Sequence, residues 1–297
     1  MKKYDSLIAH ILAAAVILVW GSTFLVSKQL VEIFTPAQVM FMRFVVAYFV
    51  LWVLHPVWYF KLREELWFLL LSLFANTLYY LAENTALQFT YASNVSILVS
   101  TAPILTALML ALCYKDEHIT RQMLIGFVCA FAGVVLVVFN GTVILKLNPL
   151  GDALALASAF IWAIYGVLMK RINGKYNSFL LSRKLMFYGM LTALPILMAQ
   201  NAPMNWTALK DGGNLISIGY LAIIASALCY VAWSKSSRIL GVLQTNLYVY
   251  ASPLATLAAA AIFGMERFTP MGIAGTLLII GGMVVSSLPP KKATATA

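Results

Sequence analysis

Charged residues are scarce in this chain, and the scarcity decides which class of protein it can be. Only 10% of its 297 residues are charged, whereas 62% are hydrophobic. Soluble domains are about a quarter charged and about half apolar. Because so few charges cannot cover the surface of a soluble protein, the composition places nearly all of the chain in lipid.

Cysteine and histidine are scarce as well, with three of each. The cysteines stand singly inside apolar segments, and the histidines are scattered along the chain. These residues are Cys113, Cys129, Cys229, His10, His55 and His118. Such positions form neither a disulfide framework nor the spacing of a metal site. The sequence therefore predicts neither a metal nor any other cofactor.

The motifs of hydrolytic enzymes are also missing. The sequence has no Gly-x4-Gly-Lys-Ser/Thr phosphate loop and no His-Glu-x2-His pair. The four aspartates all fall in loops or at the ends of apolar segments. They are Asp5, Asp116, Asp152 and Asp211. We therefore predict that the chain is not an enzyme and does not hydrolyse ATP.

Ten long apolar segments fill the chain, and short loops join them. A helix that crosses a membrane needs roughly 20 mainly apolar residues, whereas a membrane β-barrel alternates apolar with polar residues. Runs such as 125–139 are continuously apolar, which favours helices. The segments are 7–27, 37–58, 66–88, 93–114, 122–140, 150–169, 179–199, 215–233, 242–263 and 271–288. The sequence predicts an all-α membrane protein with ten transmembrane helices.

The second half of the chain repeats the first, with landmarks in the same order and at matching spacing. Trp20, Lys28, Arg43, Tyr48, Pro103, Glu117, Thr120, Gly126 and Gly133 recur as Trp162, Lys170, Arg183, Tyr188, Pro253, Glu266, Thr269, Gly275 and Gly282. We therefore predict two five-helix repeats, residues 1–145 and 146–297, within a single membrane domain. A membrane protein built from two such units is most often a transporter.

Basic residues outnumber acidic ones by 20 to 10, yet their placement argues against nucleic-acid binding. If the N-terminus is cytoplasmic, 15 of them fall on the cytoplasmic side and five on the other. The five are Lys28, Arg43, Lys146, Lys210 and Arg267. This asymmetry predicts cytoplasmic N- and C-termini in an inner or plasma membrane. Because five segments is an odd number, the two repeats would enter the membrane from opposite faces.

The N-terminal Lys2 and Lys3, followed by an apolar run, resemble a secretory signal. However, Trp20 and Lys28 in this run match the sixth segment. We therefore expect the first segment to be retained as part of the first repeat.

A polar stripe on the third segment marks a candidate binding cavity. Relative to Asn76, the residues Tyr79, Tyr80 and Glu83 fall at i+3, i+4 and i+7, on one face of a helix. A polar face on an apolar helix should turn away from lipid, although such groups can also simply bond neighbouring helices. The predicted substrate-binding residues are Trp20, Asn76, Tyr79, Tyr80, Glu83, Ser100, Trp162, Tyr230, Trp233 and Tyr250.

Glu83 is the candidate for coupling, because an ionisable group inside a spanning helix is costly and seldom without a use. It could pair with a substrate ammonium, carry a coupling proton, form an ion pair with a basic residue such as Arg43, or reach the outer interface. Its counterpart in the second repeat is Trp233. A carboxylate facing an aromatic ring would suit an amino acid or an organic cation.

Two pairs of basic residues are candidates for gates. Lys28 and Lys170 lie at opposite membrane faces in the inverted arrangement, and Arg43 and Arg183 form a similar pair. One interpretation is that they anchor the helices at the interface. The other is that each closes the pathway on its own side through a salt bridge that breaks during transport.

Several motifs together resemble the EamA family of the drug/metabolite transporter superfamily. They are Trp-Gly-Ser-Thr-Phe at 20–24, Ala-Leu-Gln-Phe-Thr-Tyr-Ala-Ser at 86–93, Pro103, and the repeated Glu-x2-Thr-x5-Gly-x6-Gly block. The resemblance implies a ten-helix inverted-repeat carrier with a central cavity, whose relatives mostly export amino acids and other metabolites while some import small compounds.

From the residues and the resemblance together we expect a secondary transporter that exports amino acids or similar small metabolites by alternating access. Proton coupling is left open, as is the choice between a monomer and a weak homodimer. The alternatives are an importer of a small organic cation such as choline, and, from different classes, a channel or a membrane assembly partner.

Overall fold

In the computed structural model the described residues are 3–138, 148–262 and 270–288, and every regular element within them is a helix. The helices are α1 (Lys3–Val31), α2 (Pro36–Leu54), α3 (Leu62–Phe89), α4 (Ala92–Cys113), α5 (Arg121–Val138), α6 (Pro149–Ile172), α7 (Ser178–Gln200), α8 (Gly212–Leu240), α9 (residues 242–262) and α10 (Pro270–Ser287). A single helical turn, Trp206–Leu209, lies between α7 and α8.

Seven of these helices, α1 to α4 and α6 to α8, are long and apolar enough to cross a membrane. Shorter apolar stretches lie in α5 and α10, at Arg121–Leu136 and Leu277–Ser286. The prediction of an all-helical, multi-pass membrane protein is confirmed. The count of ten membrane crossings stays a prediction.

Local sequence sets where the helices begin. The Thr35 hydroxyl accepts from the Gln38 amide nitrogen and the Gln38 side chain accepts from the Thr35 amide, while Pro36 fixes the first helical residue of α2. The side chains of Asn148 and Asn177 cap α6 and α7 in the same way, by accepting from backbone amides of the first turn.

Two helices change their winding at corresponding places. A π-helical stretch, Leu73–Leu78, interrupts α3, and a second one, Tyr220–Leu228, interrupts α8. Each stretch ends directly before the residues that the repeat aligns, Tyr79 and Cys229. A π-helical stretch leaves one backbone group without its usual partner and is frequently found at functional sites.

Prolines break α4 and α9. Proline lacks an amide hydrogen and crowds the carbonyl four residues before it. The regular helix of α4 stops at Ser100 and Thr101, shortly before Pro103. In α9 a tighter 3-10 turn, Tyr248–Ala251, precedes the equivalent Pro253. Both breaks therefore precede a proline at the same position of each repeat.

Helices α5 and α10 pack through their glycines and run antiparallel. A Cβ placed on Gly126 would lie 2.5 Å from the Gly282 carbonyl oxygen, and one on Gly133 would lie 2.5 Å from the Gly275 oxygen. No side chain fits there, so the backbones themselves are in contact. These glycines therefore allow α5 and α10 to pack closely against each other. Glu266 and Thr269 of the same motif, Lys146, Arg267 and the predicted boundary at 145/146 lie outside the described residues.

The outer surface of the helices is apolar. Leu18, Phe49, Leu112 and Ile216 are each more than half exposed. Polar side chains such as Asn76 are instead buried between helices. This reversal of the soluble pattern fits a protein surrounded by lipid.

Candidate functional site

A narrow cavity lies where α1, α3, α4, α6 and α9 meet. Its walls are formed by Ile17, Trp20, Thr23, Phe24, Tyr79, Tyr80, Glu83, Val99, Trp162, Val249 and Ser252. The space open to the centres of water molecules is about 30 Å³, which holds roughly two waters. In this conformation the cavity is too small for a metabolite.

Residues that the repeat relates to each other meet at this cavity. Trp20 and Trp162 are in edge-to-face contact, with ring centroids 5.5 Å apart. Val99 and Val249 also face the cavity, each four residues before the proline that breaks its helix. The cavity therefore lies at the contact between the two halves of the chain.

The π-helical stretches hold two of the central aromatic side chains. Trp20 donates its indole hydrogen to the Ala225 carbonyl oxygen at 2.9 Å, and Tyr230 donates its hydroxyl to the Ala75 oxygen at 2.9 Å. Ala75 and Ala225 lie inside the two π-helical stretches. Each half of the chain thus satisfies a backbone carbonyl of the other half, which fixes the orientation of the rings.

Glu83 faces a wall of aromatic rings. Tyr79 lines the cavity beside Glu83, and the Tyr79 ring lies 5.0 Å from Tyr80 and 5.2 Å from Trp162. Glu83 is 3% exposed, so it does not reach the outer interface. Within the described part of the chain it forms no ion pair within 4.0 Å, with Arg43 or any other residue.

Arg43 lies directly behind this wall. Its guanidinium carbon is 4.0 Å from the centre of the Tyr80 ring, and its Nε donates to the Ser226 hydroxyl at 2.8 Å. The side chain is 1% exposed. Its Nη1 and Nη2 atoms have no hydrogen-bond partner among the described residues.

Five of the predicted substrate-binding residues lie outside the cavity wall. Asn76 donates to the Leu185 oxygen, Ser100 donates to the Ile97 oxygen, and Tyr250 packs against Phe127. Tyr230 and Trp233 form the layer behind the wall. Tyr230 is 3.5 Å from the Tyr80 hydroxyl, and the Trp233 ring is 5.0 Å from that of Trp20. Their role in binding stays a prediction.

The predicted gate residues have different surroundings. Lys170 forms ion pairs with Asp116 at 2.8 Å and Glu117 at 2.7 Å, across the connection between α4 and α5. The hydrogen bond from Lys170 holds the pKa of Asp116 below its usual value. Lys28 instead donates to the Leu87 oxygen at 2.6 Å and lies 3.9 Å from Glu32, the first residue after α1.

Arg183 is fixed at one end of the bundle. Its two terminal nitrogens donate to the carbonyl oxygens of His55 and Val57, which join the start of α7 to the connection after α2. This contact is structural in the described conformation.

Sequence reasoning missed part of the wall, namely Ile17, Thr23, Phe24, Val99, Val249 and Ser252. Most of them are apolar and look like ordinary lipid-facing or core positions. The usable signal was the repeated proline, because Val99 and Val249 stand at the same distance before Pro103 and Pro253.

The chemistry of the site is that of recognition. A buried carboxylate among aromatic rings can hold a cation, and a buried guanidinium can hold an anion. Within residues 3–138, 148–262 and 270–288 no cluster of three or more His, Cys, Asp or Glu could hold a metal ion.

Known proteins with similar sequences are transporters. The model of the EamA-like transporter family matches residues 7–139 and again 149–288. An uncharacterized transporter of Archaeoglobus fulgidus is 30% identical over 92% of this chain and 95% of its own length. Proteins of Escherichia coli and Salmonella typhimurium, each named probable amino-acid metabolite efflux pump, are 25% and 26% identical over 93% of this chain.

The fold also has a solved counterpart. One crystal structure superimposes with a TM-score of 0.73 over 100% of both chains, at 18% sequence identity. At that identity the similarity shows a shared fold. Because the family model matches both halves of the sequence, the chain belongs to the EamA-like transporter family and is a multi-pass membrane transporter.

Proposed function

We propose that this protein is a secondary carrier that exports amino acids or similar small metabolites by alternating access. The observation that carries the proposal is the central cavity, in which Glu83 faces Tyr79, Trp20 and Trp162. A carboxylate among aromatic rings recognises an ammonium group and an apolar side chain together. The names of the relatives from Escherichia coli and Salmonella typhimurium support an amino-acid metabolite as cargo.

The transport cycle rests on two inverted five-helix repeats, residues 1–145 and 146–297, that make ten membrane crossings. The antiparallel packing of α5 and α10 supports this arrangement, since the last helices of inverted repeats run in opposite directions. The contact between Trp20 and Trp162, which the repeat aligns, supports it as well. If the repeats exchange their conformations, one site opens alternately to either side of the membrane.

The described conformation is closed around the cavity. A space of about 30 Å³ does not admit an amino acid, so cargo enters only after the helices move apart. Lys170, with Asp116 and Glu117, ties α6 to the connection between α4 and α5. These ion pairs close the cytoplasmic end, where the basic residues place both termini of the chain.

Uptake of a small organic cation such as choline is the second candidate. It is favoured by the same Glu83 and by Trp20 and Trp162, because tryptophan faces attract quaternary ammonium groups. A cation without a carboxylate would need only this side of the cavity. Its recognition would make no use of Arg43.

The test is counterflow in liposomes that contain only this protein. Vesicles are loaded with an unlabelled compound, and the entry of the same labelled compound is followed for each L-amino acid and for choline. Counterflow of amino acids that is absent from protein-free vesicles supports the proposal. Counterflow of choline alone favours the second candidate, and an electrical current without counterflow indicates a channel. If no compound moves, the proposed carrier function is wrong.

A further inference from the structure

Arg43 combines complete burial with an unused hydrogen-bonding end. The side chain is 1% exposed, and its Nε is taken by the Ser226 hydroxyl at 2.8 Å. The guanidinium carbon lies over the Tyr80 ring, 4.0 Å from the ring centre. The Nη1 and Nη2 atoms, which together form the fork that carboxylates prefer, have no partner in the described part of the chain.

Loss of a proton cannot remove the cost of burying this group, because a guanidinium stays charged in proteins. Leaving a charged group buried without partners is costly. The position therefore demands an anion at some stage of the protein's working cycle.

Among residues 3–138, 148–262 and 270–288 no acid forms an ion pair with Arg43 within 4.0 Å. The acids that form ion pairs in the described residues are Glu32, Glu64, Glu65, Asp116 and Glu117. All of them belong to pairs near helix ends or connections. Glu83, the acid that lines the cavity, is likewise beyond ion-pair distance of Arg43.

Arg183, the counterpart of Arg43 in the second repeat, shows what a structural arginine looks like in this protein. Both of its terminal nitrogens donate to backbone carbonyl oxygens, those of His55 and Val57. Both halves thus have an arginine at this position. The terminal nitrogens of Arg183 have hydrogen-bond acceptors, whereas those of Arg43 have none among the described residues.

We propose that Arg43 binds the carboxylate of the transported compound through Nη1 and Nη2. This inference rests on the proposed carrier function and names the chemical class of its cargo as a carboxylate. Tyr80 lines the cavity and covers Arg43, so a small movement of its ring opens the path. The cavity has to widen for any cargo, and the same widening exposes the fork. An ammonium on the same compound would meet Glu83.

The decisive variant is Arg43→Lys, which keeps the charge but removes the fork. Its matched control is Arg183→Lys at the equivalent position of the second repeat. Binding is measured by thermal shift and by isothermal calorimetry on the purified protein in detergent. The probes are the L-amino acids and, for each, the amine and the carboxylic acid that lack one of its two charged groups.

For the wild type we expect the amino acids that bind to do so more tightly than their amines. In Arg43→Lys, binding of carboxylate-bearing compounds should weaken about 10- to 100-fold, as expected for losing a charge-assisted bidentate contact. Binding of amines should stay within about twofold. Arg183→Lys should lower the melting temperature without changing the preference for a carboxylate.

Three outcomes would overturn the inference: equal wild-type affinity for amino acids and amines, equal losses for both in Arg43→Lys, or binding of amines alone. Because the first and third are read from the wild type, a variant that fails to fold leaves the test intact. Binding of carboxylic acids that lack an ammonium, if lost in Arg43→Lys, would uphold Arg43 and refute the amino-acid cargo.

Discussion

The hydroxyl oxygens of Tyr80 and Tyr230, two residues that the repeat relates to each other, lie 3.5 Å apart at the contact of α3 with α8. Two residues that the repeat aligns thus meet at the contact between the two halves of the chain. The surroundings of the two tyrosines nevertheless differ. The Arg43 guanidinium lies over the Tyr80 ring, whereas the Tyr230 hydroxyl donates a hydrogen bond to the Ala75 oxygen. Residues aligned by the repeat therefore meet beside the cavity, but their polar partners differ between the two halves.

The contact between α5 and α10 should tolerate no side chain at its glycines. A Cβ on Gly282 would lie 2.5 Å from the Ala130 nitrogen, whereas one on the adjacent Gly281 meets nothing within 4 Å. We expect Gly282→Ala to destabilise the protein by about 1–3 kcal/mol through overpacking. Gly281→Ala should be neutral or stabilise it by up to about 1 kcal/mol. Melting curves in detergent compare the two, and equal curves would contradict the packing.

Replacement of Glu83 separates two of its candidate roles, pairing with a substrate ammonium and carrying a coupling proton. Glu83→Gln keeps the shape but removes the charge. If the carboxylate pairs with an ammonium, affinity for ammonium-bearing compounds should fall about 10- to 100-fold, with protein yield unchanged. If it carries the coupling proton, proton-driven uptake should stop while exchange continues.

The control for Glu83→Gln is Glu32→Gln, because the Glu32 side chain is 64% exposed and lies outside the cavity. It should leave transport and binding unchanged. Wild-type transport, affinity and melting temperature in Glu83→Gln would refute every functional role proposed for Glu83.

Trp20 should contribute to the recognition of cations. Trp20→Phe keeps a ring in the wall but weakens the attraction for a cation and removes the bond to the Ala225 oxygen. We expect affinity for ammonium-bearing ligands to fall about 3- to 10-fold, equivalent to roughly 1 kcal/mol. Trp58→Phe, at a ring that is 88% exposed, should change nothing. A similar loss in both variants would show that the effect does not come from the cavity.

Helix positions could be read from the sequence because they depend on simple quantities. Long apolar runs predict 7–27 and 179–199, and the structure has helices at Lys3–Val31 and Ser178–Gln200. The apolar runs and the helices differ at their ends. The segment 215–233 lies within a helix that runs over Gly212–Leu240, because Lys235 and Arg238 in its last turns stop the apolar run but not the helix.

The site was predictable only where a residue faces the cavity along a regular helix. Tyr79, Tyr80 and Glu83 follow helical spacing and do line the cavity. The sequence also assigns Tyr250 to it, whereas the 3-10 turn before Pro253 directs Val249 inward and Tyr250 toward Phe127. A local change in winding rotates every later side chain, and apolar sequence carries no sign of it.

The ion pairs of Lys170 should hold closed the end of the bundle that we predict to be cytoplasmic. Changing Asp116→Asn together with Glu117→Gln removes both partners, so a cysteine placed at Ser252 in the cavity wall should react faster with a reagent added from the cytoplasm. The native Cys113, Cys129 and Cys229 are first replaced. Glu64→Gln, which breaks a pair with the nearby Lys61, is the control and should have no effect.

The contribution of the Asp116–Lys170 pair to this closure should not depend on pH between about 5 and 8. The pKa of Asp116 is lowered by its hydrogen bond with Lys170, so its contribution is present above the ordinary Asp pKa of about 3.9 and is lost as the pH falls through the lowered value. Labelling of Ser252→Cys that rises steeply between pH 8 and 5 would contradict this assignment.

The orientation of the chain can be tested at both ends of the bundle. Arg183 links α7 to the connection after α2, which places the neighbourhoods of Lys61 and Lys175 at one end. Gln38 donates to the Ala202 and Pro203 oxygens, so the start of α2 meets the connection after α7 at the other end. The excess of basic residues near the first end predicts that it is cytoplasmic.

Single cysteines at Lys61, Lys175 and Lys210, all exposed, therefore serve as reporters in a protein without native cysteines. Those at Lys61 and Lys175 should react only after the membrane is opened to the cytoplasm, and that at Lys210 should react in intact cells; one at Lys146 should behave like Lys210. Labelling of Lys61 and Lys175 from opposite sides would refute the inverted ten-helix arrangement. Labelling of both from outside and of Lys210 from inside would keep the arrangement but reverse its orientation, because the structure places the first two at one end whichever way the chain is inserted.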